Sequence, residues 1–461
     1  MSAHGTRAAT NIDRDVIVIG AGLAGLAAAA KLEAAGLAVL VLEAQQRVGG
    51  RIHSMRQVGS GEAGGTYIGA GYARVIAAAE RHGVELVDVT PVLEFFREQD
   101  LVLGERIIRQ SEWPTDPANP FPAADKAQMP WNYHRVLTIR DNPLARPQDW
   151  LDPRFAHLDV SARAWLRSLG LSERAIALAD GMNLSFGRDA DDVSALLLLF
   201  RGAFSKAQRA LAPKDSVGFT ARDGVQRIPE AIAVALAGGV EVGRPVLSIS
   251  VEHDHATVRC ADSTRLRARH VIAGVPLAVL RNIAIDPCLP AQQAEAFARL
   301  PSQPLTQVYL APKRPFWQRD GYAPSLFTDS GAGMIAAARN GANPREVTNL
   351  TAWITGDAAA ALDRLPAADA GRAVIEEIAR IRPASTGELE FVALHSWGAD
   401  RYAGGAWAYF RPGDVTRFAG IIGRAHGRLH FCGEHLALEN RGMEGAMESG
   451  ERAATEILDC L

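Results

Sequence analysis

The segment that most constrains this chain lies near its start, where a glycine-rich turn joins a strand to a helix. Asp15–Ile19 is a short run of β-branched residues and predicts a buried parallel strand. The turn Gly20-Ala-Gly22-Leu-Ala-Gly25 follows, and the alanine-rich stretch Leu26–Ala35 predicts a helix. A second apolar strand, Ala38–Leu42, ends at the acid Glu43. Strand, turn, helix, strand and acid within about thirty residues predict a dinucleotide-binding βαβ unit.

Each part of this unit has its own physical role. Gly20 permits the tight turn, Gly22 lets the backbone approach a pyrophosphate, and Gly25 lets the helix pack against the strand. The helix N-terminus offers free N–H groups and a partial positive charge to the phosphates. Glu43 would accept hydrogen bonds from ribose hydroxyls and would repel a 2′-phosphate, so NADP is disfavoured.

Composition excludes several other classes of protein. The net charge of −3 over 461 residues gives no general attraction to nucleic acid. The four cysteines, Cys260, Cys288, Cys432 and Cys460, are scattered without a CxxC pair, which favours free thiols over a disulfide framework or a metal site. Residues 1–14 lack the apolar stretch of a secretory signal, and no run approaches the ~18 apolar residues that cross a bilayer. We therefore expect a soluble cytoplasmic protein with no membrane anchor and no metal.

Several motifs at both ends of the chain resemble one family. Val18–Leu26 followed by Leu42–Arg51 is similar to the N-terminal signature of FAD enzymes that carry a second Gly-Gly-Arg element. Phe431–His435 with Gly442–Ala454 resembles the closing motif of the flavin-containing amine oxidases, and Trp397–Gly413 resembles their penultimate motif. The resemblance spans nearly the whole chain and is weak only over residues 111–206.

The resemblance, with the alternation of pattern types along the chain, implies a two-domain α/β fold. A Rossmann-like FAD-binding domain would comprise residues 11–86, 219–296 and 400–458, and residues 1–10 would form a disordered leader. Residues 87–218 and 297–399 would form a substrate-binding domain of α+β type, with a mixed sheet and helices. Within it, residues 111–154 show no clean period and predict irregular structure, whereas residues 160–208 predict mostly helix. Residues 111–206 would build the entrance and the far wall of the site.

The resemblance also implies which residues hold FAD. The residues that match the family's cofactor motifs are Gly20, Gly22, Ala24, Gly25, Glu43, Ala44, Arg47, Gly50, Arg51, Gly65, Thr66, Val246, Gly433, Glu434 and Met443. A helix that opens near Met443 would point its N-terminus at the flavin and stabilise the reduced ring. Ala406 stands where covalently flavinylated members carry a cysteine, so the FAD should be non-covalent.

Other departures from the family pattern concern the reacting end of the site. Gln307 stands where many members place a lysine that assists oxygen reduction, so an acceptor other than O2 becomes plausible. Trp407 occupies the first position of the aromatic pair that flanks a substrate amine, but Gly442 occupies the second. Tyr67 lies where amino-acid oxidases use an arginine, which argues against an amino-acid substrate. Trp397 should lie against the flavin.

These features predict an FAD-dependent amine oxidase or dehydrogenase. Hydride transfer from the substrate C–N unit to flavin N5 would give an imine, which water hydrolyses to an aldehyde or ketone. The substrates would be a small-molecule amine and either O2 or a separate electron acceptor. The sequence is compatible with a homodimer. Two alternatives remain: a flavin-dependent C–C desaturase on the same scaffold, and a flavin-binding protein with decayed catalysis.

Overall fold

A computed structural model describes residues 12–56, 61–93, 98–182, 185–339, 343 and 345–461. The predicted leader, residues 1–10, lies outside the described residues. The strands are β1 Arg14–Ile19, β2 Val39–Leu42, β3 His53–Met55, β4 Gly61–Gly64, β5 Ile68–Gly69, β6 Leu86–Asp88, β7 Gln99–Leu103, β8 Arg106–Ile108, β9 Gly218–Ala221, β10 Val240–Glu241, β11 Val246–Val251, β12 Ala256–Cys260, β13 Arg265–Ala273, β14 Ala284–Asp286, β15 Leu305–Pro312, β16 Ser325–Thr328, β17 Met334–Ala338, β18 Asn349–Thr355, β19 Leu389–Ser396 and β20 Leu429–Phe431. The helices are α1 Leu23–Ala34, α2 Ala73–Arg81, α3 Thr90–Leu93, α4 Pro130–Arg140, α5 Ala162–Ser168, α6 Glu173–Gly181, α7 Ala195–Leu211, α8 Arg227–Ala235, α9 Leu277–Leu280, α10 Ala291–Arg299, α11 Trp317–Asp320, α12 Gly356–Leu362, α13 Ala367–Ile381 and α14 Gly442–Leu458.

The first sheet is built around β1 and has the order β10-β2-β1-β13-β12-β11-β14, with β20 also paired to β13. β1 runs parallel to both β2 and β13, and β20 runs parallel to β13. The apolar runs of β1 and β2 are buried on both faces, as expected for central parallel strands. The carboxyl ends of these strands therefore meet at one edge of the sheet, which is where ligands bind in folds of this type.

Helix α1 follows β1 and packs closely against both the sheet and α14. An added Cβ on Gly25 would lie 2.0 Å from the Gly20 carbonyl oxygen, and one on Gly450 of α14 would lie 2.1 Å from the Ala24 oxygen. Glycine is required at both positions because the two backbones touch. This packing places the N-terminus of α1 directly beside the carboxyl edge of the sheet.

The second sheet has the order β19-β15-β18-β17-β16-β7-β8. It is mixed, since β7 pairs with β16 in parallel and the remaining neighbours are antiparallel. The predicted α/β fold with a second, mixed sheet is confirmed. The exact domain boundaries remain a prediction.

The helical layer beside the sheets contains one correction. Residues 111–154 are largely irregular with short 3₁₀ turns, but they also contain the 11-residue helix α4. Its period was hidden because one face packs on α6 and α7 while another lines a cavity, so no simple amphipathic stripe appears. The stretch 160–208 is helical in α5, α6 and α7, as predicted.

No described helix is both long and apolar enough to cross a bilayer. Over the same residues, no group of three or more His, Cys, Asp or Glu side chains is placed to hold a metal ion. All four cysteines are free.

Candidate active site

One long cavity of about 770 Å³ extends from the carboxyl edge of the first sheet to the helical layer. This volume lies within the range of sites that bind a cofactor or a drug-sized ligand. Most of the residues predicted to hold a cofactor or to act on a substrate line it. Those on its wall are Gly20, Gly22, Ala24, Glu43, Ala44, Gly50, Arg51, Gly65, Thr66, Tyr67, Val246, Trp397, Trp407, Gly433, Glu434, Gly442 and Met443.

The nucleotide end of the cavity is formed by the glycine turn and the acid after β2. Gly20 has φ +102°, and an added Cβ would lie 2.8 Å from the Gly274 oxygen, so only glycine fits this turn. The Glu43 carboxylate accepts hydrogen bonds from the backbone N–H groups of Ala21 and Gln45, each at 2.8 Å. Burial raises the pKa of Glu43, while these N–H donors oppose the shift. Its position is thus fixed at the place where a ribose would lie.

A buried ion pair occupies the middle of the cavity. The Arg441 Nη2 lies 2.9 Å from Glu434 Oε1, and each side chain is only 9% exposed. Arg441 is also 5.8 Å from the ring centroids of Phe186 and Phe200. Arg51 donates a hydrogen bond from Nη1 to the Ala406 oxygen at 2.9 Å. Helix α14 begins at Gly442, so its N-terminus opens onto this part of the cavity beside Met443.

The far end of the cavity is aromatic and rigidly held. Trp397 donates a hydrogen bond from its indole N–H to the Ala63 oxygen at 2.8 Å, and Trp407 donates one to the Ser185 oxygen at 2.7 Å. Phe186 meets Trp407 edge to face, with the ring centroids 6.0 Å apart. Burial raises the pKa of Tyr67 to about 12, so this phenol stays neutral at ordinary pH.

Three predicted site residues do not lie on the cavity wall. Gly25 allows the predicted close packing of α1 on β1 and does not contact the cavity. Arg47 is directed into its own loop, where it donates hydrogen bonds to the oxygens of Gly50 and Ile52, so it shapes the loop instead of facing the cavity. Gln307 is fully buried behind the wall, and its Oε1 accepts a hydrogen bond from the Tyr309 hydroxyl at 2.6 Å.

Sequence reasoning missed several residues that line the same cavity. Phe186 supplies a ring beside Trp407, and Tyr72 has its hydroxyl oxygen 3.9 Å from where a Cβ on Gly442 would lie. The polar residues Arg135, Arg201 and Arg209 belong to helices α4 and α7. The N-terminal motifs do not extend to these helices, so only the i, i+3, i+4 spacing along α7 could have indicated a shared face.

The residues present fit an FAD molecule. An added Cβ on Gly22 would meet nothing within 4 Å, so the backbone at the start of α1 is open to the cavity, as a pyrophosphate requires. Two buried polar atoms, Glu434 Oε2 and His435 Nδ1, have no hydrogen-bond partner among the described residues. Buried polar atoms are normally satisfied, so these two indicate a hydroxyl-bearing ligand against them.

A sheet with parallel central strands and a glycine turn at their carboxyl ends, opening into a cavity with an aromatic far end, defines a dinucleotide-dependent oxidoreductase. The chain belongs to the family of flavin-containing amine oxidoreductases, whose family model matches residues 23–458. Members of this family are FAD enzymes that oxidise small amines with O2 as the electron acceptor. The predicted family, enzyme class and FAD cofactor are confirmed.

The similar proteins agree with this assignment. The chain is 28% identical to human amine oxidase [flavin-containing] B over an alignment of 471 positions, which covers 97% of this chain and 86% of that protein. It is 27% identical to the amine oxidase [flavin-containing] of Danio rerio, with 96% and 85% covered. Among solved structures, putrescine oxidase bound to putrescine has a TM-score of 0.77 at 24% identity and covers 97% and 99% of the two chains. Cyclohexylamine oxidase from Brevibacterium oxydans IH-35A has a TM-score of 0.76 at the same identity and coverage.

Proposed function

We propose that this protein binds FAD non-covalently and oxidises the C–N bond of a small amine held between Trp397, Trp407 and Phe186. The observation that carries the proposal is the continuity of the cavity. The glycine turn and Glu43 lie at one end and the aromatic residues lie at the other, with no wall between them. A cofactor that starts at the turn can therefore reach the aromatic end within one enclosed space.

FAD, when bound, supplies the ring that accepts a hydride, and the protein orients the substrate and excludes water. Trp397 and Trp407 are each fixed by an indole hydrogen bond to a backbone oxygen, so the two rings hold a substrate in one orientation. Only a neutral amine has a free lone pair, and a desolvated aromatic site favours the neutral form over the ammonium. The helix α14 N-terminus and Arg51 present positive charge to the middle of the cavity.

Non-covalent attachment is supported by the residues around Ala406. Ala406 lies on the cavity wall and cannot form a thioether, and the described wall contains no cysteine. Cys432 is buried beside Gly274, with its thiol pKa raised to about 12 by burial, so it is a poor nucleophile. The bound FAD should therefore leave the protein on acid precipitation.

The proposal for the electron acceptor rests on the residue type at position 307, which lies behind the cavity wall. A cation near a reduced flavin would help O2 to accept an electron, and Gln307 cannot carry a charge. Its Nε2 is buried with no hydrogen-bond partner among the described residues. We infer that reoxidation by O2 is slow, so that a second acceptor competes with it.

A cytoplasmic location and a homodimer are further proposals that rest on the sequence alone.

The test begins with the absorption spectrum of the purified protein, followed by acid precipitation and identification of the released chromophore. A panel of amines is then added without oxygen, and bleaching of the flavin band is recorded. Bleaching by an amine supports the proposal. Bleaching only by a substrate with a C–C bond to desaturate would favour the desaturase alternative. A bound flavin that no compound bleaches would favour decayed catalysis.

A further inference from the structure

Three arginines lie on the helical wall of the cavity. Arg201 and Arg209 project from one face of α7, and Arg135 projects from the adjacent α4. Arg201 is half-buried, whereas Arg135 and Arg209 are more exposed. Arg201 lies 5.4 Å from the ring centroid of Phe186, which in turn packs on Trp407. The positive charge of Arg201 is therefore close to the aromatic end, where the substrate is proposed to bind.

No described residue neutralises these three cations. Among the described residues, no carboxylate forms an ion pair with Arg135, Arg201 or Arg209, although most of the other buried or half-buried arginines have one. Arg441, their neighbour, is already paired with Glu434. Burial, together with the nearby charges of Arg135 and Arg441, lowers the pKa of Arg201 to about 9. Arg201 is thus a desolvated cation, repelled by its neighbours, with no acidic partner in the described part of the chain.

A partly desolvated charge without a counter-ion is unfavourable, and a charged group of this kind in a cavity is a candidate for binding a ligand. The phosphates of FAD are not expected to neutralise Arg201. They are assigned to the glycine turn at Gly20–Gly22, which is at the opposite end of the cavity. The remaining source of negative charge is the substrate.

We infer that the substrate amine also carries an acidic group, and that Arg201, assisted by Arg135, binds that group. A carboxylate fits best, because its two oxygens match the planar fork of a guanidinium. Arg209 lies eight residues further along α7, about 12 Å at the helical rise, and would attract the acid toward the cavity. This inference rests on the proposed amine oxidation and names the substrate class.

The inference has two consequences. Tyr67 argued against an amino-acid substrate because position 67 lacks a cation, but the cavity carries cations at positions 135, 201 and 209 instead. The acid is therefore bound on the helical wall, and the amine and acid are separated by a spacer. A diamine would place its second ammonium against Arg201 and should be a poor substrate.

The experiment compares matched substrates of one chain length: hexylamine, 6-aminohexanoate and 1,6-diaminohexane, with shorter and longer homologues of each. Oxygen-free flavin bleaching gives the limiting rate of flavin reduction and the apparent Kd of each substrate. For the wild-type protein we expect an amino acid of one chain length to exceed the neutral amine by about 10- to 100-fold in the ratio of reduction rate to Kd, as for one charged hydrogen-bonding group. Arg201→Gln should remove this advantage mainly through Kd, so that the amino acid is no longer preferred to the neutral amine.

Two controls separate binding from folding. Arg265→Gln changes an exposed arginine that has no ion-pair partner among the described residues and lies away from the cavity. This variant should bleach with the amino acid and with the neutral amine at the wild-type rates. Hexanoate, which cannot be oxidised, should perturb the flavin spectrum of the wild-type protein and the Arg265 variant, but not of the Arg201 variant. Thermal unfolding of each FAD-loaded variant checks that the fold is intact.

The outcomes distinguish the two proposals. If hexylamine bleaches the flavin as well as every amino acid does, and Arg201→Gln changes nothing, the anion site is wrong while amine oxidation stands. If Arg201→Gln releases FAD, the arginine serves the cofactor and the inference is also wrong. If no amine of any class bleaches the flavin, the proposed function itself fails. Preference for an aminoalkanesulfonate of the same length would support the anion site and identify a different acid.

Discussion

Two neighbouring glycines at the start of α1 should respond in opposite ways to the same added methyl group. An alanine Cβ at position 22 would meet no atom within 4 Å, and Gly22 already has φ −76°, which alanine adopts without strain. At position 25 the Cβ would lie 2.0 Å from the Gly20 oxygen and 3.1 Å from Val18 Cγ1. One methyl group therefore enters the cavity, and the other enters the contact between helix and strand.

The expected magnitudes follow from these contacts. Gly22→Ala should stabilise the FAD-free protein by about 0.4–1 kcal/mol, because it restricts the unfolded chain. It should weaken FAD binding by tenfold or more, about 1.4 kcal/mol, because the methyl group stands between the backbone and the pyrophosphate. Gly25→Ala must push α1 back by about 1 Å and should destabilise the FAD-free protein by about 1–3 kcal/mol or more.

The measurements are thermal unfolding of each FAD-free variant and titration with FAD, followed by flavin fluorescence. Gly331→Ala is the matched control, since position 331 is exposed, has open space for a Cβ and lies outside the cavity. The assignment of the pyrophosphate to this turn would be refuted if Gly22→Ala bound FAD as tightly as the wild-type protein and the control. An equally stable Gly25→Ala protein would refute the packing argument.

Three further substitutions test other parts of the cavity and its surroundings. Burial raises the pKa of Glu62 to about 7. Between the ordinary pKa of a glutamate and pH 7 the folded protein therefore keeps a proton that the unfolded chain loses, so the free energy of unfolding falls as the pH rises to 7 and levels off above it. Glu62→Gln should therefore gain stability relative to wild type, by up to about 3 kcal/mol, between pH 5 and pH 9, and a constant difference across that range would contradict the shift. Gly442→Tyr should lower the stability, because Gly442 has φ +60°, and should reduce kcat/KM about tenfold more for bulky amines than for small ones, because it fills space toward Tyr72; an equal loss for all sizes would count against this. Gln307→Lys should accelerate reoxidation of the reduced enzyme by O2 about tenfold or more in stopped-flow experiments, and an unchanged rate would show that position 307 does not limit that step.

Local sequence was sufficient for the nucleotide end of the molecule. Gly20, Gly22 and Glu43 lie within one βαβ unit, where strand and helix propensities and backbone sterics fix their relative positions over a short stretch of chain. The structure places all three on the cavity wall, and the predicted α/β fold and helix α14 also agree with it. For such segments the geometry is a property of neighbouring residues and needs no distant contact.

The family resemblance predicted site residues that are far apart in the chain, but it did not determine the direction of each side chain. Arg47 matches a cofactor motif and yet is directed into its own loop, and Gln307 lies behind the wall with Tyr309. A motif specifies a backbone position, whereas the direction of a long polar side chain depends on which partners the surrounding packing leaves available.

Only the tertiary structure determined the substrate end. Arg135 and Arg201 are 66 residues apart in the sequence and become neighbours because α4 packs on α7. Neither helix carries a motif, and an arginine on a helix is usually solvated, so their charges had no reason to stand out in the sequence. Whether a carboxylate lies near Arg201 depends on how distant segments pack, and in the described part of the chain none does.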